Sequence, residues 1–99
     1  MRPIYTARLD KTRPVLVLTR ELVRPYLTRV TVAPITTNIR GLSTEVPVGR
    51  ANGLRERSVV SCDDIVTVPK STLERHIGYL LPAQEAALTA AIHAAFDLD

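Results

Sequence analysis

Arg13 stands at the mouth of an apolar, β-branched run, Pro14-Val15-Leu16-Val17-Leu18-Thr19, and Thr36 lies just past the next such run, Thr28–Ile35. If the two runs are strands that pair antiparallel, both residues sit at the same end of the sheet. A guanidinium fork beside a hydroxyl donor is a receptor for phosphate, and above all for the extra negative charge of a five-coordinate phosphorus transition state. The same spacing also fits a solvated strand-end arginine and a threonine that satisfies its own turn. The residues alone leave both readings open.

Other chemistries have less to stand on. A catalytic metal site needs several His, Cys or carboxylate ligands converging, and the chain offers two histidines far apart, His76 and His93, and one acidic pair, Asp63-Asp64. On a strand that pair would point to opposite faces and could not chelate one ion. No resident metal or cofactor is expected. Two histidines can in principle serve as acid and base of a metal-free ribonuclease. His93, however, falls beside Thr89 and Asp97 on the polar flank of the last helix, and His76 belongs to a different element, which favours surface or structural roles. The four glycines are scattered, so P-loop and dinucleotide fingerprints are absent. Cys62 has no partner for an internal disulfide, and its place in Ser58-Val59-Val60-Ser61-Cys62 suits a buried strand position.

The charge is lopsided. Residues 1–57 carry eleven Lys/Arg against four Asp/Glu, whereas residues 58–99 carry two against six. Eleven of the thirteen cations are arginine, whose planar fork matches phosphate and stays charged when desolvated. That distribution suggests an anionic partner. The absence of tryptophan and the few aromatics argue against a base-stacking platform built on several rings. No run reaches the length of a membrane span and Met1–Tyr5 lacks the apolar core of a signal peptide, so a cytoplasmic protein without membrane partners is expected.

Ninety-nine residues, 45% of them hydrophobic, are enough for one domain with one modest core, expected over 1–99. The elements that must position the candidates read as follows. Pro3–Leu9 is a first strand, with Tyr5, Ala7 and Leu9 inward, turning through Asp10-Lys11-Thr12-Arg13 into the strand Pro14–Thr19. Val15–Leu18 does not alternate, as in a strand covered on both faces, one by the core and the other by a helix or a partner subunit. An irregular crossover around Pro25 leads to the strand Thr28–Ile35. Ser43–Val48 is demoted to an edge by Pro47, and Asn52-Gly53 carries a turn signal. Ser58–Cys62 and Ile65–Val68 are two further strands, Ser71-Thr72-Leu73-Glu74 fits a capping box opening a one-turn helix, and Arg75–Leu80 is strand-like. Pro82 then starts an amphipathic helix with Leu88, Ala91, Ile92, Ala95 and Phe96 on its apolar stripe. The pattern predicts a mainly β, α+β fold: a small antiparallel barrel over about 3–81 with a C-terminal helix over about 82–96.

In order and spacing, Arg-Pro-Val-Leu-Val-Leu, a strand ending Pro-Ile-Thr, Glu-Val-Pro-Val, Asn-Gly-Leu, Ser-Val-Val-Ser-Cys-Asp and a final helix resemble the MazF/PemK-type toxins over nearly the whole chain, most of all mycobacterial members. The resemblance implies an SH3-like barrel of the MazF/CcdB type, a homodimer, sequence-specific and metal-independent cleavage of single-stranded RNA, and neutralisation by a cognate antitoxin with an acidic, disordered tail. It implies Arg13 and Thr36 as the catalytic residues, with Asp63, and Asp64 beside it, helping to read RNA bases. The implied reaction is attack of the 2′-hydroxyl on its own phosphate, leaving a 2′,3′-cyclic phosphate and a 5′-hydroxyl.

The chain departs from that pattern in one place. Family members generally carry a longer loop between the first two strands, and here only Asp10-Lys11-Thr12 precedes Arg13. Lys11 and Thr12 are the nearest substitutes for what that loop would carry. With Arg8 and the loop residues Thr37, Asn38 and Arg40 they complete the set expected to touch RNA. Two other functions use the same fold: a CcdB-like poison of DNA gyrase, and a non-catalytic RNA-binding barrel.

Overall fold

The computed structural model describes residues 1–98 and is built from seven antiparallel strands and one helix. The strands are β1 (Pro3–Arg8), β2 (Thr12–Val17), β3 (Arg29–Thr36), β4 (Glu45–Val48), β5 (Ser58–Ser61), β6 (Val66–Pro69) and β7 (Leu73–Tyr79). They form one curled sheet in the order β4-β5-β3-β2-β1-β7, with β6 also on β3. The fold class read from the sequence holds, mainly β with a C-terminal helix, but the sheet is not closed: β4 and β7 end the path unpaired with each other. Pro47 accordingly sits on an edge strand, where its missing N–H costs least.

β3 organises the rest because both of its edges are used. One edge takes β2, and the other takes β6 along Arg29–Val32 and then β5 along Ile35–Thr36. Strong curling places apolar residues on both faces of β2. Leu16 joins Ile4, Ala33, Ile35 and Val60 in a core closed by Leu88 and Ala91 of the helix, whereas Val15 and Val17 join Ala7, Val30, Val32 and Val68 in a second cluster. The non-alternating run is thus covered on both faces, as its composition dictates. The helix, through Leu88 and Ala91, is one cover, as expected for one face; the other face meets a second core of β1, β3 and β6 residues. β1 serves both cores as well. Tyr5, Ala7 and Leu9 face the second cluster as read from the sequence, while Ile4 is fully buried in the first.

Several local readings are corrected. β2 begins at Thr12, so Arg13 lies within the strand, and Thr36 is the last residue of β3, not the residue after it. Asn52-Gly53 does not make a hairpin turn. Asn52 ends a 3₁₀ turn, Arg50–Asn52, and is only 1% exposed. Its amide accepts from the Gly49 N–H and donates to the Tyr79 carbonyl and to Gln84 Oε1, tying the turn to β7 and to the start of the helix. Ser71–Glu74 forms no capping box, because Glu74 already belongs to β7 and the turn before it is 3₁₀, Lys70–Thr72. The last helix, α1, runs Glu85–Ala95 after a 3₁₀ turn at Pro82–Gln84. Phe96 falls outside it and stands 55% exposed instead of extending the apolar stripe.

Cys62 is buried, as expected, but opens a 3₁₀ turn, Cys62–Asp64, instead of ending a strand. Burial, helped by the neighbouring Asp63 charge, pushes its thiol up to about 11. A shift of this size from 9.0 leaves roughly a hundredth of the usual thiolate at neutral pH. A thiol reagent at pH 8 is therefore expected to label native protein far more slowly than protein in denaturant; equal rates would place Cys62 at the surface.

Candidate active site

The ladder between β2 and β3 pairs Val15 with Pro34, Leu16 with Ala33 and Val17 with Val32. Continued by two residues, that register sets Arg13 opposite Thr36. Residues directly opposite in an antiparallel pair share a face, with Cβ atoms about 5 Å apart in a regular ladder. The hydrogen-bonded ladder itself stops at Val15 and Pro34, and the next residue of β2, Pro14, has no N–H with which to extend it. On its other edge, where β6 has ended, β3 pairs here with β5 through Ile35 and Thr36. Arg13 and Thr36 thus lie on one face at the same end of the sheet, beyond the last bonded pair of β2 and β3.

Arg13 is half-buried and its Nη2 donates to Asp10 Oδ2 at 3.0 Å across the β1–β2 hairpin. Its Nε is buried and has no hydrogen-bond partner among the described residues. A buried guanidinium N–H without an acceptor is costly in the free protein, and is the donor a bound anion would use. Asp10 was missed by sequence reasoning, although its place three residues before Arg13 in a tight hairpin was visible. The Lys11 amide foremost, with the Arg13 charge as a further cause, holds its carboxyl below the usual value. The Asp10–Arg13 pair is therefore present above the ordinary carboxylate range and is lost only as pH falls through that depressed value.

Thr36 Oγ1 accepts the Asn38 N–H at 3.1 Å. The threonine does satisfy its own turn, as one reading of the sequence required, yet its hydroxyl proton remains free to donate. Thr37 and Asn38 follow as exposed residues at the same end of the sheet. Arg40 is exposed on the loop beyond. That loop is shaped by a residue the sequence did not single out, Glu45, whose Oε1 accepts the N–H groups of Arg40, Gly41 and Leu42. Lys11 and Thr12 are exposed on the hairpin, and Arg8 lies 3.7 Å from Glu74 with most of its surface in solvent.

Asp63 and Asp64 are not on a strand. In their 3₁₀ turn Asp63 accepts from Thr44 Oγ1 at 2.7 Å and Asp64 from Ser61 Oγ at 2.9 Å, so the two carboxylates hold different partners. The turn joins β5 and β6 beside the middle of β3, about three residues and hence ~10 Å along the strand from Thr36. His76 lies on β7 against the rings of Tyr5 and Tyr79, centroids 5.2 and 4.6 Å away, and His93 lies in the last turn of α1. Among the described residues no three His, Cys, Asp or Glu side chains gather as metal ligands, and no helix is long and apolar enough to cross a membrane.

A family model described as PemK-like, MazF-like toxin of type II toxin-antitoxin system matches residues 2–96. Endoribonuclease MazF3 of Mycobacterium tuberculosis is 67% identical over 99 residues, covering 100% of this chain and 96% of that protein. Among solved structures, the Mycobacterium tuberculosis toxin MazF-mt6 superimposes with a TM-score of 0.97 at 66% identity, over 99% of both chains. An endoribonuclease in complex with its cognate antitoxin from mycobacterial species superimposes at 0.87 over 98% of this chain and 93% of that one; at 24% identity it carries the fold alone.

Proposed function

The chain belongs to the PemK/MazF family of toxins of type II toxin–antitoxin systems, and from that membership we propose that it is a cytoplasmic endoribonuclease that cuts single-stranded RNA at short sequences without a metal ion. The observation that supports the site assignment is the unpartnered, buried Nε of Arg13, on a strand whose register with β3, continued past its last pair, leads to Thr36. A phosphate seated between them takes the guanidinium N–H groups on one non-bridging oxygen and the Thr36 hydroxyl on the other.

In the reaction the 2′-hydroxyl oxygen bonds to phosphorus and loses its proton, the bond from phosphorus to the 5′-oxygen breaks, and that oxygen leaves protonated. The products are a 2′,3′-cyclic phosphate and a 5′-hydroxyl. Negative charge grows on the phosphoryl oxygens, where Arg13 and Thr36 point donors at it. Arginine's pKa, above about 12, makes it a stabiliser of that charge and a poor base. Asp10 positions Arg13 by holding one end of its fork, and in this short hairpin it replaces part of what a longer loop would supply. Asp63 and Asp64, about 10 Å along β3, are placed to accept from base N–H groups of a nucleotide further along the strand. Arg8, Lys11, Thr12, Thr37, Asn38 and Arg40 line the remaining exposed approach and contact RNA.

We read the protein as a homodimer because Leu22 and Tyr26 on the β2–β3 crossover remain more than 80% exposed. The arginine-rich half suits an antitoxin whose acidic tail orders on contact and covers Arg13. A gyrase-poisoning role is not favoured, since the relative at 67% identity is an endoribonuclease by name.

The reading is tested by incubating the protein with RNA in EDTA and characterising the new ends. Cyclic phosphate and 5′-hydroxyl termini are expected, and Thr36→Val is expected to slow cleavage by roughly tenfold to a hundredfold, the worth of one donor to a developing charge. Binding without cleavage would reduce the protein to an RNA-binding module, and dependence on added metal would overturn the mechanism.

A further inference from the structure

Among the described residues two buried side-chain polar atoms have no hydrogen-bond partner, the Nε of Arg13 and the Nε of Arg24. Arg24 opens a 3₁₀ turn, Arg24–Tyr26, on the β2–β3 crossover, and its side chain is only 21% exposed while Leu22 and Tyr26 beside it stand in solvent. A guanidinium N–H buried without an acceptor is costly, and the cost is relieved when an anion supplies the acceptor.

Arg24 forms one wall of a cavity of about 410 Å³ at the crossover end of the second core cluster. Its floor is Val17 and Val30, each 1% exposed, flanked by Tyr5 and Leu73, and its other charged wall is Lys70. Val17 lies four residues, ~13 Å, along β2 from Arg13, so the cavity sits at the far end of that strand from the proposed reaction site.

The fold fixes both cations. Lys70 Nζ donates to the Arg24 carbonyl at 2.8 Å and the Lys70 N–H to the Thr28 carbonyl at 2.8 Å, which clamps the turn between β6 and β7 onto the crossover. One ammonium N–H is spent there and the others remain to donate. Arg24 Nη2 is engaged away from the cavity, with the Met1 carbonyl and Glu21 Oε1, both at 3.4 Å. Glu21 is 75% exposed, so its pull on Arg24 is screened by water. None of the described residues lining the cavity is acidic, and two positive charges therefore border an apolar floor with no carboxylate between them.

We propose that this cavity binds a small carboxylate carrying an apolar body of a few carbons. The carboxylate takes the Arg24 Nε–H on one oxygen and the Lys70 ammonium on the other, and the body lies on Val17 and Val30 between the Tyr5 ring and Leu73. The volume falls in the range of small-molecule sites. An RNA phosphate is the poorer occupant, because ribose hydroxyls and base N–H groups would be carried onto valines that offer them no partner. The assignment does not depend on the endoribonuclease reading.

The probe is hexanoate, titrated into isotopically labelled wild-type protein while the methyl resonances of Val17 and Val30 are followed. Acetate, 1-hexanol and hexylamine serve as head-only, body-only and opposite-charge controls. Hexanoate is expected to shift both valines with a Kd of about 1 mM, ordinary for a ligand of about eight non-hydrogen atoms, and each control to bind at least about tenfold more weakly. Arg24→Lys keeps the charge and removes the Nε–H, whereas Lys70→Gln keeps a donor for the Arg24 carbonyl and removes the charge. Each is expected to weaken hexanoate about tenfold, the worth of one charge-assisted hydrogen bond. If a variant fails to fold, the ligand series on the wild-type protein decides. Absence of a hexanoate shift, equal binding of hexanol or hexylamine, or wild-type affinity in both variants overturns the site. So does displacement of hexanoate by a 2′-O-methyl RNA, which cannot be cut and would mark the cavity as part of the RNA path.

Discussion

Arg13→Ala is expected to lower kcat/KM for RNA cleavage by two to three orders of magnitude while the melting temperature moves by only a few degrees. The size follows from where the charge appears. A donor aimed at a non-bridging oxygen is stronger against the five-coordinate phosphorus than against the diester, so its loss falls mainly on the transition state. The fold should tolerate the change, since the partner left behind, Asp10, is about three-quarters exposed and rehydrates. Arg13→Lys separates charge from geometry: a point charge restores Coulomb attraction but not the fork, and a recovery of no more than about tenfold over alanine is expected. Steady-state kinetics on one oligonucleotide, with melting curves for each variant, checks both. Wild-type rates in Arg13→Ala would move the reaction away from this end of the sheet.

Most of the architecture behind that prediction was legible because the physics is local. A β-branched run such as Val15–Leu18 has few alternatives to a strand, and its failure to alternate already reported two covered faces. What covered the second face was not legible, since the curling of β3 and β6 over Val15 and Val17 depends on contacts between residues distant in sequence. The site followed the same division. Arg13 and Thr36 could be proposed from strand ends, but that they share a face follows from the register of Val15 with Pro34, and register is set by packing across strands. The unpaired Nε and the Asp10 contact depend on side-chain rotamers that no spacing specifies. Asn52-Gly53 misled for a related reason. Its turn chemistry was read correctly in that Gly53 takes φ +87°, but the partner of Asn52 is a strand and a helix start some thirty residues away.

That long-range attachment sets the largest expected effect on stability. Gly78→Ala would drive a Cβ into the Asn52 carbonyl, and both contacting groups are backbone, so neither can rotate aside. The turn Arg50–Asn52 must lift from β7. Overpacking of this kind costs about 1–3 kcal/mol, and lifting the turn also strands the buried Asn52 amide from the Tyr79 carbonyl and Gln84, at about 1–3 kcal/mol for a buried group left unpaired. A loss of about 4 kcal/mol is a large share of the 5–15 kcal/mol typical of a domain, and at roughly 4–8 °C per kcal/mol it lowers the melting temperature by about 20 °C. Gly53→Ala meets the Ile77 carbonyl from the other side and adds the strain of a positive φ, so it should be at least as damaging. Gly49→Ala is the control, because a Cβ there meets nothing within 4 Å and the backbone is extended; a shift within about 0.5 kcal/mol is expected. If Gly78→Ala melted like Gly49→Ala, the turn would not be seated on β7.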